Sequence, residues 1–147
     1  MVLRIIPDMK KINVVIDTNV LVSALRSKNG ASHQLLLLID DDLYQPNVSV
    51  PLLFEYEDVL KRDGLIKGLT NQEIDDILDY FLSKSSLREI HFLWRPFLKD
   101  PKDDLVLEVA VESNSKYIIT FNKKDFEGIH QFNIKAVTPY EFLEIEG

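Results

Sequence analysis

The sequence predicts an α/β fold built on a central, mostly parallel sheet. Val14, Val15 and Ile16 are β-branched residues in immediate succession, which is typical of a parallel strand buried on both faces. The predicted strand Ile12–Ile16 ends at Asp17, whose charge cannot lie unpaired in such a core. Further short apolar runs alternate with helix-forming stretches along the chain, and strands that alternate with helices form crossover units in a parallel sheet.

In the first half of the chain, the sequence predicts a first helix, two further helices and one strand. An apolar run follows Asn19 and predicts that first helix, and Gly30 precedes the second. Pro46 ends a short strand, whereas Pro51 is tolerated because it lies in the first turn of the third helix. The predicted helices are Val20–Leu25, Gly30–Asp42 and Ser49 or Val50 to Arg62, and the predicted strand is Leu43–Gln45.

The second half of the chain continues the alternation. Thr70 and Glu73 form a capping-box pattern at the start of a helix. Trp94–Leu98 is an apolar stretch to which no element is assigned, and Asn122–Phe126 is a turn or short helix. The predicted helices are Thr70–Ser83, Asp100–Ser113 and a terminal turn at Pro139–Leu143, and the predicted strands are Leu87–Phe92, Tyr117–Thr120 and Ile134–Val137.

Composition limits the class of protein. A chain of 147 residues fits one domain, expected at residues 9–147, with residues 1–8 as a loose N-terminal extension. The sequence has no cysteine, so a metal ion would need oxygen or histidine ligands, which favours Mg²⁺ or Mn²⁺. No apolar run spans a bilayer and the N-terminus lacks signal-peptide features, so we expect a cytoplasmic protein.

The net charge of −7 disfavours broad attraction to nucleic acid. It does not exclude a nuclease, because acidic residues clustered around metal ions produce the same bias. A basic partner protein also fits this charge.

Three acidic positions are candidates for chemistry. Asp17 lies where a strand ends and a helix begins, the place where ligands bind in open α/β sheets, although it also fits a helix cap. Helical periodicity leaves Glu55 and Glu57 equally able to face a cleft. Asp103 projects into the apolar arc of its helix, although it could instead complete the cap begun by Asp100.

The same helical periodicity gives an expectation for the other acids of the helix after Asp100. Asp104, Glu108 and Glu112 recur at helical spacing on its polar stripe, away from its apolar side. Asp104 either assists the site or is merely exposed.

Four segments, taken in order, resemble the PIN domain, a family of metal-dependent ribonucleases, and most closely its VapC-like toxins of toxin–antitoxin pairs. The resemblance extends from about Lys11 to Phe142. It is carried by the segments Val15–Val20, Phe54–Leu60, Asp100–Ala110 and Ile118–Phe126. Each segment alone is a weak pattern, but together they imply a PIN-like three-layer α/β/α fold.

The resemblance also implies roles for individual residues. It assigns the family's acids to Asp17, Glu55 and Asp103 as catalytic residues and metal ligands, which settles the choice between Glu55 and Glu57. The family's fourth acidic position holds Asn122, which removes one charge and puts a second metal ion in doubt; Asp125 is a less well-placed substitute. Supporting or substrate-contacting positions are implied at Thr18, Asn19, Asp104 and Thr120.

The function implied is a Mg²⁺- or Mn²⁺-dependent endoribonuclease acting on single-stranded RNA, silenced by a small antitoxin and forming a homodimer. An RNA-processing or DNA-flap nuclease of the same family is one alternative. A non-catalytic PIN-like scaffold is another, because Asn122 weakens metal binding. A receiver domain also has an aspartate at a strand end, but this chain lacks the further acidic pair near its N-terminus.

Overall fold

The computed structural model describes residues 11–93 and 95–147. The predicted extension at residues 1–8 and Trp94 lie outside the described residues. The strands are β1 (Ile12–Ile16), β2 (Tyr44–Val48), β3 (Ser86–Leu87), β4 (Tyr117–Ile119) and β5 (Lys135–Val137). The helices are α1 (Thr18–Arg26), α2 (Ala31–Leu37), α3 (Val50–Leu60), α4 (Asn71–Ser83), α5 (Pro101–Glu112) and α6 (Pro139–Glu146).

The five strands form one sheet in the order β3-β2-β1-β4-β5, and each neighbouring pair is parallel. Successive residues of a strand point to opposite faces, and Val14 and Val15 of β1 are both fully buried. Both faces of the central strand are therefore covered, with α5 packed against β1, β2 and β4. The predicted three-layer α/β/α fold is confirmed.

Strand β2 differs from the prediction because it continues through Pro46 to Val48. Proline lacks an N–H donor and is normally confined to the edges of sheets. Strand β3 pairs only with Asn47 and Val48 of β2, so β2 has no strand neighbour on that side at Pro46. The proline therefore lies at a locally open part of the sheet, which the sequence pattern does not indicate.

Strand β3 is much shorter than the predicted strand Leu87–Phe92. The last backbone bond to β2 runs from the N–H of Arg88 to the carbonyl of Val48 at 2.7 Å. Beyond it the chain is held by side chains: Arg88 Nε donates to Asn47 Oδ1 at 2.8 Å, and the backbone N–H of His91 lies 3.2 Å from Glu112 Oε1. The first bond holds Arg88 to β2, and the second holds His91 to α5.

Two helices have different lengths from those predicted. The second ends as α2 at Leu37 and continues as a 3-10 turn at Leu38–Asp41. The terminal turn is instead the full helix α6, which begins at a capping box formed by Thr138 and Glu141. Phe142 of α6 is fully buried, with its ring edge-on to those of Tyr44 and Tyr117. This packing extends the helix beyond what its short sequence predicts.

Asp104 and Glu108, on the predicted polar stripe of α5, are buried. Asp104 is 1% exposed and Glu108 is 2% exposed, because residues 95–98 fold over this side of α5. The N–H of Leu98 donates to Asp104 Oδ1 at 2.9 Å, and Arg95 donates two hydrogen bonds to the carboxylate of Glu108, at 2.9 and 2.8 Å. The polar stripe of α5 therefore binds the stretch to which the sequence assigns no element.

Among the described helices, none has the length and apolar character needed to span a bilayer.

Candidate functional site

Asp17 lies at the centre of the carboxyl edge of the sheet and caps α1. Its Oδ1 accepts a hydrogen bond from the N–H of Thr18 at 2.8 Å, and its Oδ2 accepts one from Thr120 Oγ1 at 2.8 Å. The backbone N–H of Asp17 donates to the carbonyl of Ile119 at 2.9 Å. Each carboxylate oxygen has further acceptor capacity, so capping and ligand binding are compatible at this residue.

Thr120 joins the ends of two neighbouring strands. It follows β4, is fully buried, and its Oγ1 both donates to Asp17 and accepts the N–H of Asn122 at 3.0 Å. Strands β1 and β4 are paired with Ile16 opposite Ile119. The residues that follow the two strands therefore meet at one edge of the sheet. The expectation that Asp17 and Thr120 share this edge is met. Thr18 and Asn19 begin α1 at the same edge.

Asp103 is half-buried in the first turn of α5. The pKa of Asp103 is raised to about 7. Burial is the largest cause, followed by the negative charges of Asp17, Asp100, Asp125 and Asp104. The negative charge of Asp17 thus acts on Asp103. Asp100, three residues earlier, caps α5.

The structure separates Glu55 from Glu57. Glu57 lies on the side of α3 that faces α4, since Lys61 contacts both Glu57 Oε2 at 2.9 Å and Asp75 Oδ1 at 2.6 Å. The side chain of Glu55 is only 15% exposed and lies 3.8 Å from Lys102 Nζ at the start of α5. Its charge also raises the pKa of Asp17. Of the two, Glu55 is the one beside Asp17.

The pKa of Asp17 is raised, first by burial. Hydrogen bonds from Thr120 and Thr18 lower it, and the negative charges of Asp125 and Glu55 raise it again. Asp125, on the exposed 3-10 turn Lys123–Phe126, thus acts electrostatically on both Asp17 and Asp103. Asn122 is exposed beside it and adds no charge.

These carboxylates form an acidic site whose members repel each other, and a divalent cation would relieve that repulsion. Hard carboxylate oxygens are also the ligands that Mg²⁺ and Mn²⁺ prefer. Within residues 11–93 and 95–147, however, no three His, Cys, Asp or Glu side chains stand close enough together to hold one ion. The chemistry of the donor atoms nevertheless fits a divalent ion.

Asp104 and Glu108 are residues whose positions sequence reasoning missed. Besides binding Leu98, Asp104 Oδ1 lies 3.4 Å from the N–H of Phe97, so Asp104 fixes the loop that leads into α5 and Asp103. The helical spacing of Asp104 places it on the polar stripe of α5. It is buried only because the preceding loop folds over that stripe. The sequence signal available is the run Trp94–Leu98 itself, which is too apolar to be left uncovered.

One cavity among the described residues is separate from this site. It has a volume of about 580 Å³ and is lined by Val50, Leu87, Ile90, Leu93 and Leu105, with Arg88 and Arg95 among its polar residues. Its apolar lining contains none of the carboxylates that interact with Asp17. Cavity size therefore does not identify the candidate site in this fold; the convergence of charges does.

Fold and site together define a three-layer α/β protein with acidic residues at the carboxyl ends of its central strands. The PIN domain family model matches residues 13–124. An uncharacterized protein of Methanocaldococcus jannaschii is 33% identical over 144 residues, covering 91% of this chain and 91% of that protein. The chain belongs to the PIN domain family, whose members are generally nucleases.

A solved structure is similar in fold. In the crystal structure of VapBC2 from Rickettsia felis, bound to a DNA fragment from their promoter, one chain matches with a TM-score of 0.59 and 17% identity. The match covers 84% of this chain and 98% of that chain. At this identity the likeness concerns the fold alone, and it agrees with the three layers described above.

The acidity of Asp103 predicts how the metal-free protein responds to pH. The ordinary pKa of 3.8 rises to about 7 on folding, so the folded state holds more protons between these values and its free energy of unfolding falls as pH rises from 4 to 7. Asp103→Asn removes this effect. At pH 8 we expect the free energy of unfolding of the variant to exceed that of the wild type by about 1 kcal/mol, a value that allows for solvent screening.

Thermal unfolding in EDTA at pH 5 and pH 8 measures this difference. Asp58→Asn, at an exposed acid of α3, is the matched control and should follow the wild type. If Asp103→Asn loses as much stability as the wild type between the two pH values, the charge repulsion assigned to Asp103 is wrong.

Proposed function

We propose that this PIN domain is a Mg²⁺- or Mn²⁺-dependent endoribonuclease that cuts single-stranded RNA. The observation that supports the proposal is the electrostatic interaction of Asp17, at the carboxyl end of β1, with both Glu55 of α3 and Asp103 of α5. Membership of a family of nucleases supports it. A charge cluster that raises its own pKa values is characteristic of functional sites.

Each residue then has a distinct role. Asp17 and Asp103 are the principal metal ligands, and Glu55 completes the set or positions the attacking water. A bound divalent ion would supply Lewis-acid stabilisation of the phosphate charge and would activate water. Asn122 orients water or substrate by hydrogen bonding.

Four further residues support this arrangement. Thr18 and Thr120 fix the carboxylate of Asp17 through the two hydrogen bonds described above. Asn19 lies next to them at the start of α1 and is available for substrate contact. Asp104 holds the loop before α5 and so positions Asp103.

We further propose that the chain is the toxin of a toxin–antitoxin pair, forms a homodimer and is silenced by a small antitoxin in the cytoplasm. The fold shared with a chain of the VapBC2 complex supports an antitoxin partner. The net charge of −7 suits a partner with basic residues.

The test is cleavage of labelled single-stranded RNA, duplex RNA, single-stranded DNA and a DNA flap by purified protein. We expect cleavage of single-stranded RNA with Mg²⁺ or Mn²⁺ and none in EDTA, together with growth arrest on expression. Preferential cutting of the flap would instead favour the DNA-repair type of PIN nuclease. Binding of RNA without any cutting would favour a non-catalytic scaffold, the alternative that Asn122 at the fourth acidic position supports.

A further inference from the structure

Phe121 is an exposed aromatic residue next to the acidic site. The residues before it in the chain, Tyr117 to Thr120, are all buried, whereas the side chain of Phe121 is 47% exposed. It directly follows Thr120, whose hydroxyl binds Asp17, and directly precedes Asn122. A large apolar ring therefore meets solvent one residue from the site.

The backbone that carries this ring is fixed on both sides. The N–H of Thr120 donates to the carbonyl of Val137 in β5 at 2.8 Å. The N–H of Asn122 donates to Thr120 Oγ1 at 3.0 Å, and the N–H of Phe121 itself lies 3.4 Å from Asn19 Oδ1. A ring presented from a held backbone loses little conformational freedom when it binds a ligand.

The charges around the site provide little attraction for phosphates. Two of the four lysines in or beside the motif segments (Lys99, Lys102, Lys123 and Lys124) already face acids: Lys102 lies 3.8 Å from Glu55, and Lys123 contacts Glu141 at 2.9 Å. These pairs use part of the cationic charge that would otherwise neutralise RNA phosphates, and the chain as a whole carries −7. An uncharged contact would therefore add to the affinity for RNA.

We propose that Phe121 is a stacking platform for one unpaired base of the RNA held at the acidic site. This inference rests on the proposed function and narrows its substrate class to RNA whose bases are free to stack. Bases in a duplex stack on each other and are not available to a protein ring. Aromatic stacking is also tolerant of sequence, because every base has a flat face. Phe121 thus selects unpaired over paired RNA without selecting a particular base.

Binding measurements test this without depending on cleavage. The parent protein carries Asp17→Asn. Three variants of this parent carry Phe121→Ala, Phe121→Trp or Phe92→Ala in addition. Phe92, in the segment after β3, is also an exposed phenylalanine and serves as the control. The probes are a fluorescein-labelled single-stranded RNA of roughly 12 nucleotides and its duplex. Fluorescence anisotropy gives the Kd of each pair.

We expect Phe121→Ala to weaken single-strand binding about tenfold, and Phe121→Trp and Phe92→Ala to stay within about twofold of the parent. The parent should bind the duplex more weakly than the single strand. None of the variants should change the Kd for the duplex. The plot of log Kd against log salt should have a slope below about 2 for the single strand, since few phosphates are neutralised.

Three results would overturn the inference. Equal single-strand affinity of Phe121→Ala and the parent would show that the ring does not stack on an RNA base. A salt slope of about 4 or more would show that phosphate contacts dominate. Failure of the parent to bind any RNA would also overturn the inference, whereas the nuclease proposal is decided separately by cleavage with the wild-type protein.

Discussion

Replacing Asp17 by asparagine is expected to lower the rate of RNA cleavage by at least about 1000-fold, since a lost metal contact removes several kcal/mol of transition-state stabilisation. The amide fits the same space, but it removes the negative charge at the centre of the site. The pKa of Asp17 is already raised by burial, so a neutral side chain does not harm folding. The melting temperature of the variant should equal or exceed that of the wild type.

The measurement is single-turnover cleavage of single-stranded RNA with Mn²⁺, with circular dichroism as the check on folding. Asp58→Asn on α3 is the matched control, because Asp58 is exposed and forms its ion pair with Arg62, which is also exposed. It should cut at the wild-type rate. Wild-type cleavage by Asp17→Asn, after a mock purification excludes a contaminating nuclease, would contradict the mechanism.

Replacing Arg95 by methionine is expected to destabilise the protein by about 3 kcal/mol, because it removes the cation that balances a buried carboxylate. Glu108 is 2% exposed and receives two hydrogen bonds from Arg95. For a domain of this size the loss corresponds to a fall in melting temperature of about 10 °C. Thermal and urea unfolding of the two proteins measure it.

A second substitution separates the ion pair from general packing. The double variant Arg95→Met with Glu108→Leu should recover most of the stability, since apolar pairs often replace buried ion pairs without loss. Arg62→Met is the exposed control, where the pair with Asp58 has both side chains largely in solvent, and its effect should stay within about 0.5 kcal/mol. An unchanged melting temperature for Arg95→Met would show that the contact with Glu108 contributes nothing.

The positions of Asp17 and Thr120 could be predicted because each depends on a local signal, the end of an apolar strand. Once β1 and β4 are neighbours, parallel geometry places both residues at one edge. Glu55 could not be separated from Glu57 in this way. Both border the apolar stripe of α3, and only the packing of α4, which provides Asp75 as a partner for Lys61, places Glu57 on the other side.

The errors concern residues whose environment is made by distant parts of the chain. Asp104 and Glu108 have the spacing of a solvent-facing stripe, and their burial depends on how residues 95–98 fold back on α5. Likewise, the predicted strand Leu87–Phe92 is apolar enough to form a strand, but beyond Arg88 its backbone bonds to Glu112 of α5 and not to the sheet. Periodicity within one segment contains no information on such contacts.

Calorimetric titration of Mn²⁺ into the metal-free protein tests the central claim that the acidic site holds a divalent ion. The account predicts saturable binding that weakens at least about tenfold in both Asp17→Asn and Asp103→Asn, since each removes a ligand charge. Because the pKa of Asp103 is about 7, binding at pH 7 should also release protons, seen as a dependence of the heat on the buffer. Absence of saturable binding, or equal affinity in the wild type and both variants, would contradict the account.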